Sequence, residues 1–147
     1  MTAKLPISVL VVVHTASREV LLLERTGRPG FWQSVTGSLE RADEALADAA
    51  RRELREETGI EARPADLKRW NLAYSFEIFA HWRHRFPPGT THNTEHAFSL
   101  EVPARVPPVL APGEHVASLW LPWQAAAEKC FSWSNRDAIR ILGRCAR

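Results

Sequence analysis

The chain has 147 residues, 45% hydrophobic and 24% charged, which is the balance of an ordinary soluble globular protein. A formal net charge of +2 is too small to point to nucleic acid or to an anionic membrane. The length suits a single domain spanning residues 1–147, and two cysteines, Cys130 and Cys145, argue against a disulfide framework or a cysteine metal site.

The apolar run near the N-terminus is too short for a membrane span, and no small-residue cleavage pattern follows it, so a cytoplasmic location is expected. ISVLVVVH and EVLLLER predict two strands joined by TASR in an antiparallel hairpin. FWQSVTGS predicts a short strand ending at Gly37. From about Asp43 the periodicity changes: Leu46, Ala50 and Leu54 recur every four residues, the stripe of a helix. Asp43 suits its N-cap, and Gly59 suits the left-handed position that stops it. LKRWNLAYSFEIFAHWRHRF, the turn PPGTTHN, TEHAFSLEV and HVASLWL make a strand-rich second half. WQAAAEKC and NRDAIRILGRC read as closing helices, the second with Ser134 as N-cap and Asp137 three residues on. Strands, a helix, more strands and a helical end imply an α/β or α+β sandwich.

The chemistry is concentrated in RRELREETGI, where Glu53, Glu56 and Glu57 share one helical edge. Exposed, such neighbours repel by only roughly 0.2–0.5 kcal/mol per pair, and a solvated face neutralised by Arg51, Arg52 and Arg55 is a sufficient reading. In a shielded cleft at about 4 Å the repulsion is nearer 4 kcal/mol. A bound cation is then required, and Mg²⁺ is the ion suited to hard carboxylate oxygens.

The frame around these glutamates chooses between the two readings. Gly37 to Ile60, GSLERADEALADAARRELREETGI, resembles the signature of the Nudix hydrolases: a glycine, a glutamate some residues on, then Arg-Glu-apolar-any-Glu-Glu-any-Gly-apolar. One departure is visible. SLERAD places six residues between Gly37 and Glu44, where the family has five. Asp43 keeps the family spacing from the glycine, while Glu44 keeps the spacing to Arg52. Glu44 is preferred, because a helix fixes phase and a loop absorbs an extra residue at little cost.

The resemblance implies an α/β/α sandwich with a mixed central sheet and Mg²⁺-dependent cleavage of a nucleoside diphosphate linked to another group. It makes Glu53 and Glu57 metal ligands and Glu56 a further ligand or a base, with Arg52 orienting the carboxylates through Glu44. Mg²⁺ would screen the phosphate oxygens and activate the attacking water.

Segments outside the signature, among them PISVLVVV, FWQSVTGS, FEIFAHWRHR, PGTTHNTE and SWSNRDAI, resemble the members of the family that remove pyrophosphate from 7,8-dihydroneopterin triphosphate in folate synthesis. That resemblance makes Glu114 a third metal ligand. It brings Lys4 and Arg25 to the triphosphate, and Thr36, Phe76, Glu77, Ile78, Phe79 and Ser132 to the substrate. Strand alternation puts Glu77 and Phe79 on one face, and Glu77 is the candidate acceptor for the paired N–H groups of a pterin. Guanine shows the same edge, so some activity on purine nucleoside triphosphates is expected. A nucleotide-pool pyrophosphohydrolase and a non-catalytic nucleotide sensor remain open. The partner is thus a small molecule, a pterin or nucleoside triphosphate, and not nucleic acid or a membrane. His81, His84, His92 and His96 fall in segments read as strand or turn, where their spacing forms no zinc site. WRHRF reads as a phosphate-facing strand end.

Overall fold

The computed structural model describes residues 3–145. Seven strands form one branched sheet: β1 (Ile7–His14), β2 (Glu19–Arg25), β3 (Trp32–Gln33), β4 (Val35–Ser38), β5 (Leu67–Glu77), β6 (His92–Glu101) and β7 (His115–Pro122). Three α-helices flank it: α1 (Leu46–Thr58), α2 (Trp123–Lys129) and α3 (Trp133–Arg144).

Strand β1 is central. It runs parallel to β6 from Ile7↔Thr94 to His14↔Glu101 and antiparallel to β4 from Ser8↔Ser38 to Val11↔Val35. Its continuous apolar run follows from burial on both faces. Val9, Val11 and Val13 pack with Ala49, Ala50 and Leu54 of α1. Leu10 and Val12 pack with Ala138, Ile139 and Leu142 of α3. Each such Val or Leu side chain contributes roughly 1.5–3 kcal/mol on leaving water. The result is the α/β/α sandwich with a mixed sheet.

The predicted hairpin is present, but β1 and β2 are registered at His14↔Val20 and then part. β2 pairs instead with β7 on one side and with β3 on the other. The sheet therefore branches, and the chain crosses from one branch to the other at Ser34, between β3 and β4. Ser34 is fully buried. Asn135 of α3 holds it: the Ser34 N–H donates to Asn135 Oδ1 at 2.8 Å, and Asn135 Nδ2 donates to Ser34 Oγ at 3.0 Å. FWQSVTGS is accordingly two short strands rather than one, and the second runs through to Ser38.

Three other expectations are corrected. Helix α1 begins at Leu46, after Ala45, with no side-chain cap. Asp43 is instead in the preceding loop, paired with Arg41. Ser132, not Ser134, caps α3 by accepting from the Asn135 N–H; Ser134 is the second residue of the helix and fully buried. AHWRHR is a 3₁₀ turn, Ala80–Arg85, because the strand before it ends at Glu77. Gly59 does stop α1 in the left-handed region (φ 75°), its N–H donating to Arg55 O.

Replacing Asn135 with Ala leaves the Ser34 N–H buried and unpaired. Urea unfolding is expected to show a loss of about 2 kcal/mol, with helix content unchanged.

Candidate metal and substrate site

A cavity of about 790 Å³ opens where the two branches of the sheet part. Its acidic wall comes from α1. Glu57 is 1% exposed and Glu53 8%, whereas the Glu56 side chain is 48% exposed. Glu53 lies against Gly37, where an added Cβ would overlap its carboxyl group. The close approach of β4 to α1 thus requires glycine there.

Burial, first of all, pushes the Glu53 and Glu57 carboxyls upward in pKa. For Glu57 the neighbouring Glu53 and then Glu114 add to the effect. The loop before β7 supplies Glu114 and His115, and ligand atoms of Glu57, Glu114 and His115 all lie within 4.8 Å of one another. Burial followed by the charge of Arg25 lowers His115 to about 4, so its ring is neutral near pH 7. Its Nδ1 has no hydrogen-bond partner among the described residues and is 4.0 Å from Glu57 Oε1. Crowded, desolvated carboxylates with few cationic partners are a donor set suited to a hard divalent cation.

Arg52 organises the cluster. Its Nε and Nη2 donate to the two Glu44 oxygens at 3.0 and 3.1 Å, and Nη2 also donates to Ser38 O at 3.1 Å. Nη1 donates to Glu53 Oε1 at 2.6 Å and approaches Glu56 at 3.6 Å. Burial opposes the Arg52 charge, but the bonds to Glu44 and Glu53 prevail and raise its pKa. The expected Arg52–Glu44 pairing is present. Glu44 itself is held below the usual carboxylate range by that bond, and it does not line the cavity.

Lys4, Arg25 and Arg85 line the same cavity. Burial, then neighbouring guanidiniums (Arg85 and Arg25 for Lys4, Arg28 and Arg85 for Arg25), lowers both Lys4 and Arg25, while Glu114 acts on each in the other direction. Trp82 is the platform of this cluster, with the guanidinium carbons of Arg28, Arg25 and Arg85 at 4.8, 5.4 and 5.8 Å from its ring centroid. Arg85, from the WRHRF segment, enters the site from a 3₁₀ turn rather than a strand end.

The four consecutive residues from Phe76 to Phe79 all line the cavity, but not by strand alternation. The strand stops at Glu77, Ile78 is buried, and Phe79 is 53% exposed at the start of the turn. The Glu77 side chain is 69% exposed and pairs with Arg83 at 3.2 Å. It is a rim residue. Ser132 and Trp133 line the opposite side, where the Trp133 ring meets Tyr74 edge-on at 5.6 Å.

The cavity floor was not legible in the sequence. There Asn93 and Glu95, two apart on β6, share one face of the strand and are 7% and 6% exposed. Glu95 accepts from Ser134 Oγ at 3.0 Å, and Thr36 Oγ1 shares its one proton between Val9 O at 3.0 Å and Glu95 at 3.4 Å. Burial, outweighing these hydrogen bonds, raises its pKa to about 7. Thr36 joins the two ends of the site, because its N–H also approaches Glu57 Oε1 at 3.5 Å. NTEH is polar at four successive positions, on both faces of the strand, so nothing local marks Asn93 and Glu95 for burial.

Residues 4–141 match the NUDIX domain. The chain belongs to the NUDIX family. Among NUDIX relatives it is 45% identical to the dihydroneopterin triphosphate diphosphatase of Escherichia coli (strain K12) over 139 residues, 92% of this chain and 91% of that one. It is 41% identical to the protein of the same name from Haemophilus influenzae over 136 residues, 90% and 84% of the two chains. The solved structure of the E. coli dihydroneopterin triphosphate pyrophosphohydrolase superimposes with a TM-score of 0.87 at 42% identity, covering 96% of this chain and 97% of that one. NUDIX membership accounts for the acidic helix and its glycine.

The floor carboxyl has a measurable signature. Glu95 is raised from 4.5 to about 7 in the fold, so between those values the folded state holds a proton the unfolded chain has lost. Its contribution to stability is fully present below 4.5 and is lost by about pH 7. The urea stability of wild type minus that of Glu95→Gln is expected to fall over this window, by at most about 3 kcal/mol. A flat difference would remove the assignment.

Proposed function

We propose that this chain is a Mg²⁺-dependent pyrophosphohydrolase that converts 7,8-dihydroneopterin triphosphate to its monophosphate and pyrophosphate, a step of folate synthesis carried out in the cytoplasm. One observation carries the reading: a single cavity is lined by buried carboxylates, by a basic cluster and by a buried polar pair, Asn93 and Glu95. The likeness to relatives bearing that activity in their names supports the substrate. No helix among the described residues is long and apolar enough to cross a membrane.

In this reading Glu53, Glu57 and Glu114 hold Mg²⁺, with the more exposed Glu56 as a further ligand or base. The cation would screen the phosphate oxygens and activate the attacking water. The protein's own part is positioning. Arg52 holds Glu53 in place while Glu44 and Ser38 O fix the guanidinium. Lys4 and Arg25 meet the triphosphate across the cavity, one as a point charge and one as a fork. Their partial desolvation strengthens that attraction. Thr36 and Ser132 present hydroxyls beside the substrate, and Phe76, Ile78 and Phe79 wall the ring, whose edge was the task expected of Glu77.

Pyrophosphate release by purified protein with Mg²⁺ tests the reaction, and kcat/KM on dihydroneopterin triphosphate against dATP and 8-oxo-dGTP tests the substrate. A preference for 8-oxo-dGTP would overturn the pterin assignment. Chelation by EDTA should stop turnover, and added Mg²⁺ should restore it. Glu57→Gln is expected to lower kcat by about 100-fold or more while the circular dichroism spectrum stays native. Arg52→Lys cannot span Glu44, Glu53 and Ser38 O at once, and isothermal titration should show Mg²⁺ binding weakened roughly 10–100-fold.

A further inference from the structure

On the face of the sheet turned toward α3, the strand positions are filled by Leu10, Val12 and Ala97 and then, at the cavity end, by Ser8, Asn93 and Glu95. Ser8 and Glu95 are register partners on β1 and β6. A change from apolar to polar in the interior costs free energy unless each group is bonded. The residues largely bond one another: Asn93 Nδ2 donates to Ser8 Oγ at 2.8 Å, and Glu95 accepts from Ser134 and Thr36. One atom is left over. Asn93 Oδ1 is buried and without a partner among the described residues. Glu95 adds acceptor capacity, since two hydroxyls use two of the roughly four lone-pair positions of a carboxylate. The floor thus offers adjacent acceptors on one strand face, with Phe76, Ile78 and Trp133 around them to enclose a flat ring.

We infer that Glu95 and Asn93 form the specificity-determining site, reading the donor edge of a 2-amino-4-oxopyrimidine ring, the element that pterin and guanine share. The Glu95 carboxylate accepts from the ring N–H and from one hydrogen of the amino group. Asn93 Oδ1 accepts the second amino hydrogen. This deepens the proposed function and rests on it for the pterin, but it transfers to Glu95 the task that the sequence suggested for Glu77. The exposed Glu77 already has Arg83 as partner, and water competes for a rim carboxylate far more than for a buried one. Thr36 then links ring recognition to the metal cluster, because it touches both Glu95 and Glu57.

The geometry makes a test that loss of folding cannot imitate. Glutamine at position 95 presents one acceptor and one donor, which mismatches the double-donor edge and matches the donor–acceptor edge of adenine. With the full-length protein and Mg²⁺, Glu95→Gln should lower the ratio of kcat/KM for dGTP over dATP by roughly 10–100-fold, chiefly through KM. The same loss is expected for dihydroneopterin triphosphate relative to dATP. An unchanged ratio in Glu95→Gln would overturn the inference, as would a larger ratio change in Glu77→Gln. Asn93→Ala should move the same ratio in the same direction, and an equal loss on all substrates in both variants would mark the pair as merely structural. If the wild-type protein cleaves dGTP but not the pterin triphosphate, the proposed substrate fails while the dGTP-to-dATP ratio still tests Glu95.

Discussion

The site depends on keeping several carboxylates out of water beside one another, and Arg52 is the group that makes this tolerable. An unpaired buried carboxylate protonates or drives the structure apart. The Arg52 guanidinium touches Glu44, Glu53 and the Ser38 carbonyl, and approaches Glu56. It therefore ties the loop after β4 to the acidic edge of α1 and neutralises part of its charge. It leaves Glu57 and Glu114 without a cationic hydrogen-bond partner among the described residues. The remaining demand faces the cavity, where a divalent ion and a polyphosphate can meet it together.

The cavity is a consequence of how the sheet is paired. β1 and β2 are neighbours in the chain and part after His14↔Val20, so each recruits other strands. The gap is walled by α1 on one side and by the start of α3 on the other. The crossing at Ser34 has to be held without a continuous ladder, and Asn135 supplies those hydrogen bonds from α3. The same short segment carries Thr36 and Gly37. One of these touches both ends of the site, and the other lets Glu53 lie flat against the strand.

Three groups of ionisable residues share this space for different reasons. Glu53 and Glu57 are raised in pKa mainly by burial among other acids, a condition that a metal relieves. Glu95 is raised by burial alone, against the effect of two hydroxyls, a condition that donors on a ligand relieve. Lys4 and Arg25 are lowered by burial and by other cations, which an anionic phosphate chain relieves. The three perturbations thus call for three different partners: a cation, a hydrogen-bond donor and an anion.

Much of this was written in local order. The period of Leu46, Ala50 and Leu54 set the acidic helix, and the spacing of RELREETGI placed Glu53 and Glu57 on one edge, because helical phase is a local property. Gly59 as the helix stop is equally local, whereas Glu44 reaches Arg52 from the loop before Leu46 and not through helical phase. Cap positions were not legible: Asp43 and Ser134 have the right side chains, yet Ala45 and Ser132 stand where the backbone turns. Nor was the end of β5, where alternation failed and Glu77 went to the rim. Asn93, Glu95 and His115 were beyond local reading altogether. Their burial comes from strands and helices far away in the chain, and only when those pack together does an ordinary polar residue become a desolvated one with a task.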